Sequence, residues 1–419
     1  MDFSEILKDI KPDKEEMEKI HNLADKLINI IKKYSSKNVE DVLFVGSSAR
    51  NTNLKGSYDI DIFILFNKRV SIEKLEEEGL YLGKKAIEEL NGKYEINYAS
   101  HPYIRGYVDK YKVDIVPCYK IEFGERIISA VDRTPLHHKF LIERLTPQLC
   151  DEVRLLKAFL KSLGLYGSDV KTKGFSGYLC ELLILKYNSF LNLLEDAQNW
   201  KKKKVIILDD IYKLYGDIKF KEFDEPLVVY DPVDINRNVA AALSRDNYCK
   251  FIFYSREFLK NPKKEFFYNY KEIIEKNLNN REKGKVIKLK IPRDKISDDI
   301  VYPQLEKLLK SIVKILEQHE FKLLTYKCYL DENYGFIELE FLVDELPNIM
   351  IKLGPPIYNK KRVDSFLKKY DKVFVKDCYL YSFSNRKYTN AIDLLKDIIN
   401  KKIPISKTKN VYLDEAEIL

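Results

Sequence analysis

The stretch VGSSARNTNLKGSYDIDIFILF, from Val45 to Phe66, decides how the first part of the chain is expected to fold. It ends in a strongly apolar run that is typical of a buried strand. Asp59 and Asp61 begin this strand, and alternate side chains of a strand share one face. Two carboxylates ~7 Å apart on one face repel each other unless something neutralises them. The pair is therefore either a solvated strand end or part of a cation site.

Two further features favour the cation site. Gly46 and Ser47 lie at a predicted strand-to-helix turn, where glycine lets a phosphate approach the backbone and helix N–H groups bind anions. Asp114 stands in another apolar strand, YKVDIVPCY, either as a strand acid with a structural partner or as a third ligand. Three acids on adjacent strands can hold two Mg²⁺ ions ~4 Å apart, an arrangement that supports phosphoryl transfer.

The length and composition predict a multidomain protein of the cell interior. The chain has 419 residues, which suggests two to four domains, and 45% of them are hydrophobic. Its net charge of +8 fits a polyanionic partner without requiring one. The six cysteines form no C-x-x-C pair, so no zinc knuckle is expected. No apolar stretch approaches the ~20 residues of a membrane span, and the charged N-terminus does not resemble a signal peptide.

The hydrophobic periodicity predicts an α+β fold with three parts. Residues 1–136 form a small α/β sheet domain, with a helix over 13–34, and residues 137–258 are mainly helical. Residues 259–419 show a βαββ-then-αβ order that resembles a ferredoxin-like unit with an extra strand. Within that last part, KVFVKDCYLYSF is predicted to be one strand.

Several motifs carry a resemblance to known enzymes. GSSAR, DIDIFILF and VDIVPCY resemble the nucleotidyltransferase superfamily that includes DNA polymerase beta. SAVDRTPLHHKF, DPVDINRNVAAALS and IKLGPPIYNKKRVDSFLKKY more closely resemble the archaeal-type (class I) CCA-adding enzymes, which are tRNA nucleotidyltransferases. The resemblance covers nearly the whole chain in order. It implies a palm-like catalytic head over 1–136, a helical neck over 137–258 that recognises the base, and an RNA-binding body and tail over 259–419.

The resemblance also implies the reaction and its partners. The implied reaction is template-independent addition of CCA to the tRNA 3′ end from CTP and ATP. It releases pyrophosphate and proceeds by two-metal phosphoryl transfer. Two Mg²⁺ ions are the expected cofactor, and Mn²⁺ in their place is left open. The tRNA would be bound at its acceptor and T arms. A cytoplasmic location is expected, and a homodimer is left open.

Site residues follow from the same resemblance. Asp59, Asp61 and Asp114 would bind the metals, with Asp114 helping to activate the attacking hydroxyl. Nucleotide contacts are implied for Gly46, Ser47, Arg50, His137, Lys157, Tyr166 and Arg237.

The nucleotide contacts divide by role. Arg237 would recognise the base, and the other residues would hold the triphosphate. His138 is a weaker candidate for the triphosphate-binding histidine than His137. Structural readings remain open: Tyr166 as a core residue at a helix end, Lys157 as a surface residue, and Arg237 in an ion pair with Asp231 or Asp234.

One departure from the family pattern concerns a turn. Asn51 stands where the family usually has glycine, and asparagine tolerates the left-handed backbone that this position is expected to need.

Two alternative functions are considered. A poly(A) polymerase or an oligoadenylate synthetase would share the acids, but DPVDINRN and GPPIYN argue against it. A catalytically dead RNA-binding relative is the second, and the intact set of three acids argues against that. Two stretches with interleaved lysines and aromatics, NPKKEFFYNYKEIIEKN and GPPIYNKKRVDSFLKKYDKVF, are expected to contact RNA.

Overall fold

The computed structural model of the protein describes residues 1–98, 100–216 and 219–419. It divides into two compact units, residues 1–275 and 276–419. The three-part division at residues 136 and 258 stays a prediction.

The helices of the first unit are α1 (Ser4–Ile10), α2 (Lys14–Tyr34), α3 (Gly46–Ala49), α4 (Ile72–Glu89), α5 (Arg133–Ile142), α6 (Pro147–Ser162), α7 (Gly177–Tyr187), α8 (Phe190–Ala197), α9 (Asp209–Tyr215), α10 (Arg245–Lys260) and α11 (Tyr270–Asn279). Its strands are β1 (Val39–Val45), β2 (Asp59–Phe66), β3 (Lys93–Tyr98), β4 (Pro102–Val108), β5 (Tyr111–Tyr119), β6 (Lys204–Ile206), β7 (Leu227–Asp231) and β8 (Asp234–Asn238).

The first five strands form one mixed sheet in the order β1-β2-β5-β4-β3. β2 and β5 run parallel to each other, and the other pairs are antiparallel. The parallel register places Asp61 directly opposite Asp114. The strands predicted around both acids are therefore confirmed, and the sheet brings the acids side by side.

Helices α2 and α4 cover one face of this sheet. The Asp13 side chain caps α2 by accepting a hydrogen bond from the N–H of Glu16. The buried stripe of α2 recurs at helical spacing and packs in the same core as alternate residues of β2, such as Ile60 and Ile62. Because side chains alternate across the sheet, Asp59 and Asp61 lie on the other face. That face continues into a smaller apolar cluster made by Val45, Phe63, Leu65, Val116 and Cys118.

The rest of the first unit is mainly helical, as predicted, but it also contains a small sheet. β6, β7 and β8 form it, and the motif DPVDINRN supplies the end of β7 and all of β8. The helices enclose an aromatic core in which Phe159 stacks on Phe266 with ring centroids 5.8 Å apart. Phe266 and Phe267 are buried there. The expectation that the aromatics of NPKKEFFYNYKEIIEKN contact RNA is therefore wrong for these two, which are needed to fill the core.

The second unit contains two separate sheets. Its elements are β9 (Lys285–Pro292), α12 (Asp298–Gln318), β10 (Lys322–Leu330), β11 (Tyr334–Val343), β12 (Ile349–Pro356), α13 (Lys360–Leu367), β13 (Val373–Lys376), β14 (Tyr379–Asn385), α14 (Ala391–Ile399) and β15 (Glu417–Ile418). One sheet has the order β10-β11-β9-β15 and the other β12-β14-β13. The multidomain α+β architecture is confirmed, while the C-terminal strands fall into two sheets.

One predicted strand is wrong in detail. KVFVKDCYLYSF forms two strands, β13 and β14, which pair as a hairpin. Asp377 and Cys378 between them have φ angles of 49° and 63°. Two successive left-handed residues make a tight hairpin turn, usually signalled by Asn-Gly or Asp-Gly, and that signal is absent here.

Two general features concern the cysteines and the helices. Cys118, Cys150 and Cys180 are free and buried, whereas Cys249 and Cys378 are free and exposed. Within the described ranges, none of the helices combines the length and the hydropathy that a membrane span demands.

Candidate active site

The three predicted acids meet at one edge of the five-stranded sheet. Asp59 and Asp61 begin β2, and Asp114 lies on β5 opposite Asp61. Burial, followed by the charges of Asp114 and Asp59, raises the pKa of Asp61 from 3.8 to about 7. The acids are thus close enough for mutual repulsion, which a divalent cation would relieve.

Gly46 makes room for one of these carboxylates. Its φ angle is 82°, and a Cβ atom built on it would overlap Oδ2 of Asp61. Any larger residue would therefore be both strained and in collision with the acid. The sequence predicted that glycine lets a phosphate approach, and the structure adds that it lets Asp61 pack against the turn.

Basic side chains neutralise the other two acids. Nε and Nη2 of Arg105 each donate to Asp114 over 2.8 Å, and Nζ of Lys112 lies 3.2 Å from Oδ1 of Asp59. Among the described residues, no group of three or more His, Cys, Asp or Glu side chains is arranged to hold a metal ion. Asp114 and Asp59 instead face Arg105 and Lys112, whose charges offset theirs.

A buried cluster behind the turn after β1 contains Arg50 and Lys157. Nη2 of Arg50 donates to Oε2 of Glu181 over 2.9 Å, and its Nε donates to Oε1 over 3.2 Å. The Thr52 hydroxyl donates to Oε1 of Glu181 over 2.6 Å. Nζ of Lys157 donates to the Thr52 carbonyl over 3.0 Å and lies 3.3 Å from the Thr52 hydroxyl. Lys157 is 1% exposed, so its reading as a surface residue is wrong.

The charges of this cluster balance against its burial. Burial lowers the pKa of Lys157 below its ordinary value, and the Glu181 carboxylate opposes that effect. Burial alone would raise the pKa of Glu181, but the charges of Arg50 and Lys157 and the donated hydrogen bonds lower it overall. The Glu181 carboxylate and the cations Arg50 and Lys157 thus oppose the effect of burial on each other's ionisation.

Tyr166 lies beside the same cluster. A Cβ atom built on Gly177 would stand 3.2 Å from the Tyr166 hydroxyl and 3.8 Å from Nζ of Lys157. Glycine at position 177 thus lets both polar groups approach the start of α7. Tyr166 is half-buried, and burial raises its pKa above the ordinary value.

A second cluster joins His137 and Arg237 through one buried carboxylate. Nε2 of His137 lies 2.8 Å from Oδ2 of Asp231, to which Nη1 of Arg237 donates over 2.7 Å. The Tyr178 hydroxyl donates to Oδ1 over 3.1 Å, and the Tyr178 ring stacks on His137. The ion pair of Arg237 with Asp231, one of the two open readings, is therefore present.

Arg237 also lines an open cleft of about 640 Å³. Asp234 and Arg133 stand in the same wall and pair with each other over 2.8 Å. Because Asp231 holds Nη1, the remaining donors of the Arg237 guanidinium are available to the cleft. The ion pair and a contact with a ligand in the cleft are thus compatible.

The two clusters are electrostatically linked. The charge of Arg50 opposes protonation of His137 and His138 and favours ionisation of Asp61. Burial, with help from Arg50, lowers the pKa of His138 to about 4. The structure therefore gathers the predicted residues into one region of the first unit.

The backbone between the clusters depends on Asn51 and on an arginine that sequence reasoning missed. Asn51 has a φ angle of 55°, which is the left-handed conformation expected of it. Its Oδ1 accepts from Nη2 of Arg154 over 2.6 Å, and Nε of Arg154 donates to the Asn53 carbonyl over 3.0 Å. Arg154 is fully buried. The signal that could have found Glu181 is a charge within the apolar stretch LCELLI, whereas α6 carries several charges and Arg154 does not stand out among them.

Three family models together match most of the chain. They are the nucleotidyltransferase domain over residues 24–137, the second domain of tRNA nucleotidyltransferase over residues 151–268, and the C-terminal domain of the CCA-adding enzyme over residues 283–413. The matched segments follow the order that the resemblance predicted.

Curated relatives match over almost the full length. The chain is 62% identical over 404 residues to the CCA-adding enzyme of Methanocaldococcus jannaschii, which covers 95% of this chain and 90% of that one. It is 39% identical over 420 residues to the CCA-adding enzyme of Methanothermobacter thermautotrophicus, covering 99% and 91% of the two chains. It is 40% identical over 385 residues to that of Archaeoglobus fulgidus, covering 90% and 84%.

Proposed function

The chain belongs to the family of CCA-adding enzymes, which add CCA to the 3′ ends of tRNA by nucleotidyl transfer, and we propose that the acids and clusters described above carry out that reaction. The chain is therefore a tRNA nucleotidyltransferase. In our proposal the terminal 3′-hydroxyl of the tRNA attacks the α-phosphate of CTP or ATP, and pyrophosphate leaves. The observation that carries it is the register that sets Asp61 opposite Asp114 beside Gly46.

Enzymes with a nucleotidyltransferase domain generally use divalent metals. We assign Asp59, Asp61 and Asp114 as the ligands of two Mg²⁺ ions, with Mn²⁺ as an alternative. The donor set fits, because hard oxygen ligands suit Mg²⁺. Burial and then the charges of Asp114 and Asp59 raise the pKa of Asp61, and a cation would offset both effects. When bound, such ions lower the pKa of an attacking hydroxyl and neutralise charge on the leaving group.

Arg50, Lys157 and Tyr166 are proposed to bind the triphosphate, together with Ser47 and His137. Two edge donors of Arg50 are held by Glu181, and its Nη1 makes no hydrogen bond to any of the described residues. That donor can point to a phosphate while the rest of the guanidinium stays fixed. Catalysis of this kind depends mostly on positioning and electrostatics, which a preformed cationic site supplies.

Arg237 is proposed to recognise the base in the cleft. A guanidinium presents several donors in a rigid plane, which suits acceptors on a base edge. Asp231 fixes that plane through Nη1. Asp234 and Arg133 add an acceptor and further donors to the cleft wall.

The second unit is proposed to hold the tRNA at its acceptor and T arms. Nζ of Lys288 lies 4.4 Å from the ring centre of Phe336, and the Phe336 and Tyr329 rings stack 5.0 Å apart. In α13, Lys360 and Lys361 are exposed. Lysines beside half-buried aromatic rings suit phosphate and sugar contacts. The cytoplasmic location and the oligomeric state stay predictions.

The test is an addition assay on tRNA that lacks CCA, with each nucleoside triphosphate in turn. Wild type should incorporate C and then A, while Asp61→Ala should incorporate nothing and still bind tRNA. Repeated addition of A alone would indicate the poly(A)-type activity instead. Binding without any addition by wild type would indicate a dead relative, and turnover by Asp61→Ala with Mg²⁺ would remove Asp61 from the site.

A further inference from the structure

Glu181 is a buried carboxylate for which the sequence predicted no role. It lies in α7, is 0% exposed, and has apolar neighbours on both sides in the sequence LCELLI. A carboxylate in such a place costs free energy unless it is paired and hydrogen-bonded. Its partners therefore explain why it is tolerated.

Among the described residues, the hydrogen-bond partners of Glu181 are Arg50 and Thr52, and both lie in the region proposed to bind the triphosphate. Arg50 donates to both carboxylate oxygens, over 3.2 and 2.9 Å, in a side-by-side pairing. The Thr52 hydroxyl donates to Oε1 and is at the same time within reach of Nζ of Lys157. The segment with Arg50 and Thr52 follows β1, whereas Glu181 and Lys157 come from α7 and α6. Glu181 thus ties residues far apart in the chain into one cationic group.

We propose that Glu181 is a positioning residue for nucleotide binding, which sets the direction of Arg50 and, through Thr52, the place of Lys157 before the triphosphate arrives. The inference rests on the proposed role of Arg50 and Lys157 as triphosphate ligands. Glu181 itself does not touch the nucleotide.

The geometry gives the reason for this role. Arg50 is a long side chain that would otherwise populate many rotamers and would have to be ordered when the nucleotide binds. The bidentate pairing uses Nε and Nη2 and leaves Nη1 for a phosphate oxygen. One negative charge against two positive charges leaves the group net cationic, so it still attracts a polyanion.

The experiment measures KM for CTP, KM for tRNA and kcat in the full-length chain. In Glu181→Gln the charge is lost but the shape is kept, and we expect KM for CTP to rise about 10- to 100-fold, the cost of one charged hydrogen bond. KM for tRNA should change less than twofold. Unchanged KM for CTP in a folded Glu181→Gln protein would overturn the proposal.

Two further substitutions keep the test decisive if Glu181→Gln folds poorly. Thr52→Val removes the hydroxyl that links Glu181 to Lys157 and should also raise KM for CTP. Thr52→Ser keeps a hydroxyl, so its KM for CTP should stay close to that of wild type. The matched control is Asp196→Asn, which removes a carboxylate bonded to Tyr187 and Trp200 elsewhere in the first unit. A purely structural role would make Asp196→Asn and Glu181→Gln behave alike, with less active protein and the same KM, and would overturn the inference.

Arg50→Ala separates this inference from the proposed function. If Arg50→Ala leaves KM for CTP unchanged, the assignment of Arg50 to the triphosphate fails. If Arg50→Ala raises KM but Glu181→Gln does not, the positioning role alone fails. In the double variant we expect a loss smaller than the two single losses combined, because Glu181 acts in part through Arg50.

Discussion

Asp61→Asn is expected to stabilise the metal-free protein while abolishing nucleotide addition. The Asp61 carboxylate packs against Gly46 and lies opposite Asp114, so its negative charge sits in a partly desolvated and repulsive place. Asparagine keeps the shape and removes the charge. The variant should gain the stability that burial and repulsion of this charge cost wild type. It should lose addition because a proposed metal ligand is gone.

The size of the effect follows from the pKa of Asp61, which burial and the charges of Asp114 and Asp59 raise from 3.8 to about 7. Because the folded state binds the proton more tightly than the unfolded chain, ionisation of Asp61 destabilises the fold as pH rises. The cost begins near the unfolded pKa and is complete above the folded pKa. It corresponds to about 4 kcal/mol at pH 8 and about 2 kcal/mol at pH 5.

Thermal unfolding of wild type and Asp61→Asn in a chelator measures this difference. At pH 8 the unfolding temperature of the variant should lie roughly 10 °C above that of wild type. At pH 5 the difference should be about half as large. Added Mg²⁺ should then raise the unfolding temperature of wild type through binding, and that of the variant much less.

Asp41→Asn is the matched control on the same sheet. Asp41 lies on β1, and its side chain is 43% exposed. This substitution should change neither the pH dependence nor nucleotide addition. If Asp61→Asn proves less stable than wild type at pH 8 without metal, or gains equally at both pH values, the repulsion argument is refuted.

Three further outcomes are expected. Arg237→Ala should lower discrimination of CTP and ATP against UTP and GTP by about tenfold or more, measured as kcat/KM, with less effect on pyrophosphate binding; unchanged discrimination would make Arg237 structural. Gly46→Ala should destabilise the first unit by about 1–3 kcal/mol in denaturant unfolding and abolish addition, because the new Cβ displaces Asp61, and a fully active variant would contradict this. Replacing Lys360 and Lys361 with alanine should weaken tRNA binding and reduce its dependence on salt, while equal salt slopes would exclude phosphate contacts by α13.

Much of the fold could be predicted from local patterns. The apolar run after Asp61 predicted β2, and the periodic stripe from residue 13 to 34 predicted α2, because burial on one face imposes these periods on the sequence. The hairpin at Asp377 and Cys378 was missed because its left-handed turn lacks the usual glycine. The aromatics at Phe266 and Phe267 were misassigned because a core aromatic and an RNA-binding aromatic look the same in sequence.

Some residues of the candidate site could likewise be predicted from the sequence, and others could not. Motif order identified the acids, and family resemblance supplied the other nucleotide contacts, which remain predictions. The sequence left Asp231 as one of two possible partners of Arg237 and predicted no role for Glu181. The contacts of Asp231 with His137 and of Glu181 with Arg50 join residues far apart in the chain, so only packing reveals them.

The sequence by itself determined which strands carry acids, since residue types at short spacing indicate them. The family and the reaction were implied by the resemblance of its motifs to CCA-adding enzymes. The tertiary structure decided which charges pair. It set Asp61 opposite Asp114 through parallel strand register, and it turned Arg50 toward Glu181 and Arg237 toward Asp231. The physical reason is that a buried charge must find an opposite charge within hydrogen-bonding distance, and only packing determines which distant residue is there.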